Sequence, residues 1–524
     1  MTAIPQRLLG EALLKTAAAS PHKVAILIKD QSYTYQQLRD AALKLAGHLQ
    51  AGGLQRGERV ALYLNNTWEC AVAIYAVGLV GGVFLVINPQ TKSDKLLYIL
   101  QDSGASALIA EGRLGNEYRP ILAETAKLRL LIECGSPSQA DSGAMPAATF
   151  EAIQNEKAVA PENLPLCIPN DLAALIYTSG STGFPKGVMM THQSMVFASW
   201  SLIQYLRLTS EDRILVLSPF AFDYGLYQLL MAVTVGGSLV VEQSFTFQQT
   251  IYQLIEKHKP TVFPGVPTIY AMMIATYKKK PFSLPCIQKI TNTAAALPAA
   301  FLPDLQQIFP NALIFKMYGL TECKRVCYLE PELVNEKPDS VGKAIPGTEV
   351  FLLDADGHRA GPGEKGILHI RGPHIMLGYW NKPELSQEML RPGELPYERV
   401  LCSNDWFQTD EEGFLYFLGR NDDIIKTRGE KVSPLEIENI LHQIPGIREA
   451  AVYGIPDPIM GEAIVACVCT NGEAPDEKGI QRLCATKLEA FMIPHQVRFV
   501  PEMPKSTNGK IDKKILKQNQ HVPA

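Results

Sequence analysis

LAALIYTSGSTGFPKG, residues 172–187, runs from an unbroken apolar stretch straight into a loop of small and hydroxylated residues. Leu172 to Tyr177 reads as a buried strand. Tyr177 to Gly187 then holds three glycines, two serines, two threonines and Lys186. Such a loop offers backbone N–H groups and hydroxyls to phosphate oxygens, its glycines permit close approach, and the lysine adds charge. Thr178, Ser179, Gly180, Ser181, Thr182, Gly183 and Lys186 are therefore candidate phosphate ligands. It is not a Walker loop, because the lysine precedes the last glycine and no hydroxyl follows it. The plainer reading is a flexible surface turn, but an uninterrupted Thr-Ser-Gly-Ser-Thr-Gly run after an apolar strand is unusual for a mere connection.

Upstream, helices and strands alternate. Thr34 and Gln37 make a capping-box pattern before Leu38, Ala42, Leu45 and Leu49, whose spacing marks an amphipathic helix. Strands follow at Val60 to Leu64, Val83 to Ile87 and Ala107 to Ala110, with a helix around Leu96 to Leu100. The alternation predicts an α/β fold with parallel sheets. Ala71 to Asn88 is almost long enough to span a bilayer, but Gly81 and Gly82 divide it into a buried helix ending near Leu79 and a strand. Residues 135–170, rich in Pro, Ser, Ala and Gln, read as a surface excursion. Beyond Arg420 the strands AAVYGI and EAIVACVCT and a helix over 477–488 suffice for a small α+β domain, so the expected units are 1–421 and 422–524.

The 524 residues are 47% hydrophobic and 19% charged, as in globular proteins. A net charge of -4 offers nothing to nucleic acid or to an anionic membrane surface. Ten scattered cysteines and a polar opening at Thr2, Gln6 and Arg7 point to a reducing cytoplasm. Cys323, Cys327, Cys467 and Cys469 lack histidine partners at zinc-like spacing and read as buried hydrophobic residues.

The glycine-rich loop, YGLTE at 318–322, Gly419-Arg420 and Gly509-Lys510 within PKSTNGKID together resemble the acyl-adenylate-forming superfamily of acyl-CoA synthetases, amino-acid adenylation domains and luciferases. The likeness runs from end to end. It implies a large N-terminal domain and a mobile C-terminal lid hinged at Asp422, with RGEKVSP (428–434) along the thiol's approach, and ATP with Mg²⁺ as cofactors. By the same resemblance Thr178, Ser179, Thr182 and Lys186 hold the pyrophosphate part of ATP, Ala295, Ala296, Tyr318 and Gly319 flank the nucleotide, Thr321 meets the α-phosphate, and Glu322 ligates Mg²⁺. Counting back from EEGFLYFLGR sets Ser403-Asn404-Asp405 over the family's Thr-Gly-Asp, so Asp405 rather than Asp410 pairs with Arg420 on the ribose hydroxyls. Lys510 reaches the reacting carboxylate and α-phosphate, where a cation offsets charge that develops during adenylation.

The segment that lines the acyl pocket in the family reads SPFAFDYGLYQ. Phe222 stands where CoA synthetases tend to carry histidine, and Asp223 follows, as in members that pair an aspartate with a substrate ammonium. A buried carboxylate needs a cation, which favours an amino or imino acid; the alternative is that Asp223 caps a helix starting at Gly225. Phe222, Tyr224, Tyr227 and Met317 would crowd the pocket against long acyl tails. FDYGLYQ with YGLTECKRV resembles the free-standing L-proline adenylating enzymes of pyrrole and cyanobacterial anatoxin pathways. The chain stops fourteen residues after Lys510, so the expected thiol belongs to a separate phosphopantetheinylated carrier protein. An acyl-CoA or aryl-CoA ligase is the alternative, and a non-catalytic nucleotide-binding scaffold the distant one.

Overall fold

The computed structural model describes residues 6–136, 145, 147–178, 185–242, 248–293, 295–421, 423–427, 430–457, 460–471, 474–488, 490–505 and 510–518. Its fold is mixed α/β, with a large N-terminal domain and a small C-terminal one. In the N-terminal domain a nine-stranded sheet is parallel from Leu313–Tyr318 across to Val24–Ile28, where Ile26 pairs with Leu239. A seven-stranded sheet carries Leu172–Thr178 next to its edge strand Lys186–Thr191.

Strand residues alternate between two cores, as the pleat dictates. Val60, Leu62, Ile214 and Val216 point into one shared core with the helices Leu9–Ala19, Tyr35–Ala51, Trp68–Leu79, His192–Tyr205 and Asp223–Val235. Ala61 and Tyr63 turn the other way into a cluster on the outer face of the seven-stranded sheet, and Leu215 and Leu217 do the same on the nine-stranded sheet. Thr34 and Gln37 form the capping box that starts Tyr35–Ala51. The apolar run divides as expected, into helix Trp68–Leu79, buried on every side from Cys70 onward, and strand Val83–Ile87. Among the described residues no helix is long and apolar enough to cross a membrane.

The 135–170 excursion is not all loop: Ala148–Thr149 adds a parallel edge strand to Leu130–Cys134, and Phe150–Ile153 forms a helical turn capped by Thr149. A third, antiparallel sheet contains Arg399–Thr409 and Leu415–Arg420. The C-terminal sheet begins at Ile425–Thr427; its long hairpin Ile447–Asp457 and Gly461–Thr470 is covered by Pro434–His442 and Glu477–Ala485 on one face. Cys467 and Cys469 share the opposite face in a second small core, and Cys323 and Cys327 are likewise buried and free.

One buried ion pair ties the excursion's neighbour strand to the chain before it. Arg119 and Glu133 meet at 2.7 Å with side chains 6% and 3% exposed, and Tyr118 donates its hydroxyl to the same carboxylate. Removing one member of such a pair strands the other charge in a dry interior. Glu133→Ala should cost about 3–5 kcal/mol in urea denaturation, whereas Arg207→Ala, at an exposed pair with Glu332, should barely move the midpoint.

Candidate active site

The strand entering the glycine-rich loop and the strand leaving it are paired, with Thr178 opposite Lys186. Thr178 keeps a buried hydroxyl without a hydrogen-bond partner among the described residues. Ser179, Gly180, Ser181, Thr182 and Gly183 lie outside the described residues. Lys186 Nζ donates to Tyr379 Oη at 2.7 Å, rests 4.0 Å over that ring, and lies 3.5 Å from Glu322 Oε1. Tyr379 in turn donates to Glu322 Oε1 at 2.6 Å. Burial, then the neighbouring Glu322 charge, pushes the Tyr379 phenol far above its ordinary value, so it stays protonated.

Glu322 is delivered by a tight reversal after Leu313–Tyr318. A Cβ on Gly319 would stand 2.4 Å from the Lys324 carbonyl oxygen, so only glycine fits. Thr321 and Glu322 are half-buried on the reversal. Tyr318, just before it, donates to Asp405 Oδ2 at 2.5 Å and packs against Phe407 and Phe417. Asp405 and Arg420 are register partners on adjacent strands, 3.8 Å apart from Nε to Oδ1. Burial raises the Asp405 carboxyl to about 6, against the opposing pull of Arg420. Asn404 has φ 56°, a left-handed value that asparagine tolerates better than most residues, which accounts for its standing where the family has glycine. Asp410 is occupied otherwise: it accepts from Lys337 at 2.8 Å and from the Phe414 backbone at 2.9 Å inside a turn.

Ala295, Ala296, Met317, Tyr318, Gly319, Asp405 and Arg420 line a cleft of about 450 Å³ whose other wall is the C-terminal domain, with Ser433, Glu436 and Lys510. Lys510 is accessible at the mouth. Crowding by the two domains, then the like charge of Arg420, holds its pKa below the usual lysine value, while Asp223, Asp405 and Glu322 pull the other way. Asp422, between Arg420 and the C-terminal sheet, lies outside the described residues, as do Arg428 and Gly429.

In the segment SPFAFDYGLYQ, Asp223 opens the helix Asp223–Val235 with Phe222 as N-cap residue, so the helix begins two residues before Gly225 and Asp223 sits in its first turn rather than capping it. Tyr224 and Tyr227 are buried, the former sharing a hydrogen bond with Thr291 Oγ1 at 2.6 Å. Met317 receives a contact from Tyr205 Oη at 2.9 Å. Composition and motif had not singled out Lys324, yet its Nζ lies 3.5 Å from Asp223 Oδ2 and over the rings of Tyr227 (4.8 Å) and Tyr224 (5.4 Å). Lys324 is 1% exposed, and burial lowers its pKa to about 7 despite Asp223. The signal was the Lys-Arg pair in an otherwise apolar CKRVCYL. Tyr379 gave none beyond a tyrosine in an apolar stretch.

The donor set suits a magnesium nucleotide. Mg²⁺ favours one or two carboxylates completed by phosphate and water, and Glu322 is a single hard carboxylate beside a lysine. Thr178 offers an orphan hydroxyl to phosphate, and Asp405 with Arg420 an acceptor and donors for a diol.

Known proteins share this chain's family and fold. The family model described as AMP-binding enzyme matches residues 13–380, and that of the AMP-binding enzyme C-terminal domain matches 436–510. A long-chain-fatty-acid–CoA ligase of Bacillus subtilis is 30% identical over 99% of this chain and 96% of its own length. A feruloyl-CoA synthase of Amycolatopsis is 31% identical over 96% and 97%. An anthranilate CoA ligase solved with anthranoyl-AMP superimposes with a TM-score of 0.89 at 26% identity, covering 98% of both chains. The chain belongs to the AMP-binding enzyme family, the acyl-adenylate-forming ligases built from a large N-terminal and a small C-terminal domain.

Proposed function

We propose that this AMP-forming acid–thiol ligase activates a compact carboxylic acid without an ammonium group and transfers the acyl group to CoA. The observation that carries the reading is Lys324, whose amine already fills the place beside Asp223. Asp223 thus has its cation within the chain, and the electrostatic demand for a substrate ammonium is met internally. Tyr224, Tyr227 and Met317 are bulky and buried, which favours a small or aryl acid over a long tail, and the CoA-ligase relatives support CoA as acceptor.

In this reading the substrate carboxylate attacks the α-phosphorus of ATP, the bond to the bridging oxygen breaks, and pyrophosphate leaves with its electron pair. Lys186 and Thr178 bind the departing phosphates, Asp405 and Arg420 hold the ribose, and Lys510 approaches from the C-terminal domain to offset charge on the oxygens between carboxylate and phosphorus. Mg²⁺ held by Glu322 would supply further neutralisation. The thiol sulfur then attacks the acyl carbon, its proton passes to solvent, and AMP departs. The domain boundary at 421/422, with Asp422 as hinge, is part of the proposal.

A second reading keeps L-proline as substrate and the separate phosphopantetheinylated carrier protein as acceptor. Asp223 favours it: its side chain is 22% exposed and its charge pulls the Lys510 pKa upward, so the carboxylate is not sealed away from a ligand.

Exchange of labelled pyrophosphate into ATP should be at least about tenfold faster with aryl or short-chain acids than with L-proline, followed by thioester formation on CoA. Exchange with L-proline alone, and acyl transfer only to a carrier, would establish the second reading; exchange with no acid would leave the scaffold. Lys324→Met should shift the preference toward amino acids by freeing Asp223, read from the ratio of kcat/KM for L-proline and the best neutral acid. Asp405→Asn should weaken AMP binding by about tenfold or more while stabilising the nucleotide-free protein at pH 7.5 by on the order of 2 kcal/mol. The sign follows from the carboxyl at about 6 in the fold: between the unfolded value and 6 the folded state holds the extra proton, so stability falls as pH rises through that window. Denaturation at pH 4.5 and 7.5 should show the variant's advantage clearly larger at the higher pH, because the penalty is only partly developed at 4.5.

A further inference from the structure

Residues 376–380 form a strap sewn to both phosphate-side elements. Met376 N donates to the Glu322 carbonyl at 2.7 Å, which fixes the strap to the reversal after Tyr318. Leu377 N donates to Met189 O at 3.0 Å, Met189 N to Gly378 O at 3.0 Å, and Trp380 N to Gly187 O at 2.8 Å, which fix it to the strand leaving the glycine-rich loop. Trp380 Nε1 anchors the far end on the Asp102 carbonyl at 2.9 Å. Tyr379, 1% exposed, is thereby held from both sides with its hydroxyl between Lys186 and Glu322.

That hydroxyl has one proton and acceptor capacity to spare, and both are in use: it donates to Glu322 and accepts from Lys186. The direct separation of the two charges is 3.5 Å, longer than either bond to the phenol. Without the hydroxyl, a lysine and a carboxylate this close would draw together into a direct ion pair of about 2.7–2.9 Å. Each charge would then be satisfied by the other, and a phosphate or a cation would first have to break the pair.

We propose that Tyr379 is a positioning residue that keeps Lys186 and Glu322 apart and aimed, so that phosphate oxygens meet the lysine while a divalent cation meets the carboxylate. The ring beneath Lys186 fixes the ammonium's height, and the hydroxyl fixes the carboxylate's orientation. This role rests on the reading of Lys186 as a phosphate ligand and Glu322 as the Mg²⁺ ligand.

Tyr379→Phe keeps the ring and removes only the hydroxyl. Calorimetric binding of a non-hydrolysable ATP analogue with Mg²⁺ to the full chain should weaken by about tenfold, the loss of a hydrogen bond to a charged group. The Mg²⁺ concentration for half-maximal analogue binding should rise, while AMP, which needs neither the β,γ-phosphates nor the cation, should bind within about twofold of the unaltered protein. In a Glu322→Gln background the same change should have little further effect, because the hydroxyl acts through that carboxylate. Unchanged affinity for the magnesium analogue, equal weakening of AMP, or full additivity with Glu322→Gln would each overturn the proposal. If Lys186→Ala and Glu322→Gln alone leave analogue binding untouched, the underlying site reading fails instead. A Tyr379→Phe protein that does not fold would also overturn it, since the hydroxyl would then be a structural support.

Discussion

At Gly319 the chain passes so close to its own return that no side chain fits, and much of the site depends on that approach. The turn is closed by Val326 N donating to the Tyr318 carbonyl at 3.0 Å, and Lys324 accepts φ 65° to complete it. Because the backbone doubles back so sharply, three nearby side chains leave in three directions. Tyr318 goes to Asp405, Glu322 to Tyr379 and Lys186, and Lys324 to Asp223. One reversal thus fixes the surroundings of Asp405, Lys186 and Asp223 together. Any residue with a Cβ at 319 would have to open it, and all three groups would move.

The charges arranged by that turn differ in environment more than in kind. Asp405 and Asp223 both face a cation, but Arg420 lies 3.8 Å away and more than half exposed, whereas Lys324 is enclosed by aromatic rings. Enclosure weakens the lysine's own charge, and the exposed guanidinium cannot fully repay the burial of Asp405. Asp405 therefore carries a desolvation burden that a ligand hydroxyl can relieve, while Asp223 stands beside a buried lysine whose own proton is loosely held.

Local patterns in the sequence were enough for the fold. The capping box at Thr34 and Gln37, the Gly81-Gly82 break and the unbroken Leu172 to Tyr177 run each act over a few residues, and each appears in the structure within a residue or so of its expected place. Asp405 and Arg420 were legible because a fixed count along one hairpin sets their register. Lys324 and Tyr379 were not, because what matters about them is made by residues far away in the chain: Asp223 lies about a hundred positions before Lys324, and Lys186 nearly two hundred before Tyr379. The helix start at Asp223 was missed by two residues for a similar reason. Gly225 looked like a boundary, but its missing Cβ serves the close approach of the Pro219 and Ser218 carbonyls instead.

The pairing of Ile26 with Leu239 has a consequence for how the chain reaches this state. The first parallel strand of the nine-stranded sheet has only its hairpin partner Gln31–Thr34 until roughly two hundred further residues have been made, and closing so long a loop is slow. Meanwhile Ala25 and Ile26, both buried in the finished fold, wait for the parallel strand that pairs with theirs. A ribosome-bound or newly released chain passes through a period in which this strand is made and its parallel partner is not. Assistance from chaperones, or slow synthesis near residue 240, would matter more to the yield of this protein than to its final stability.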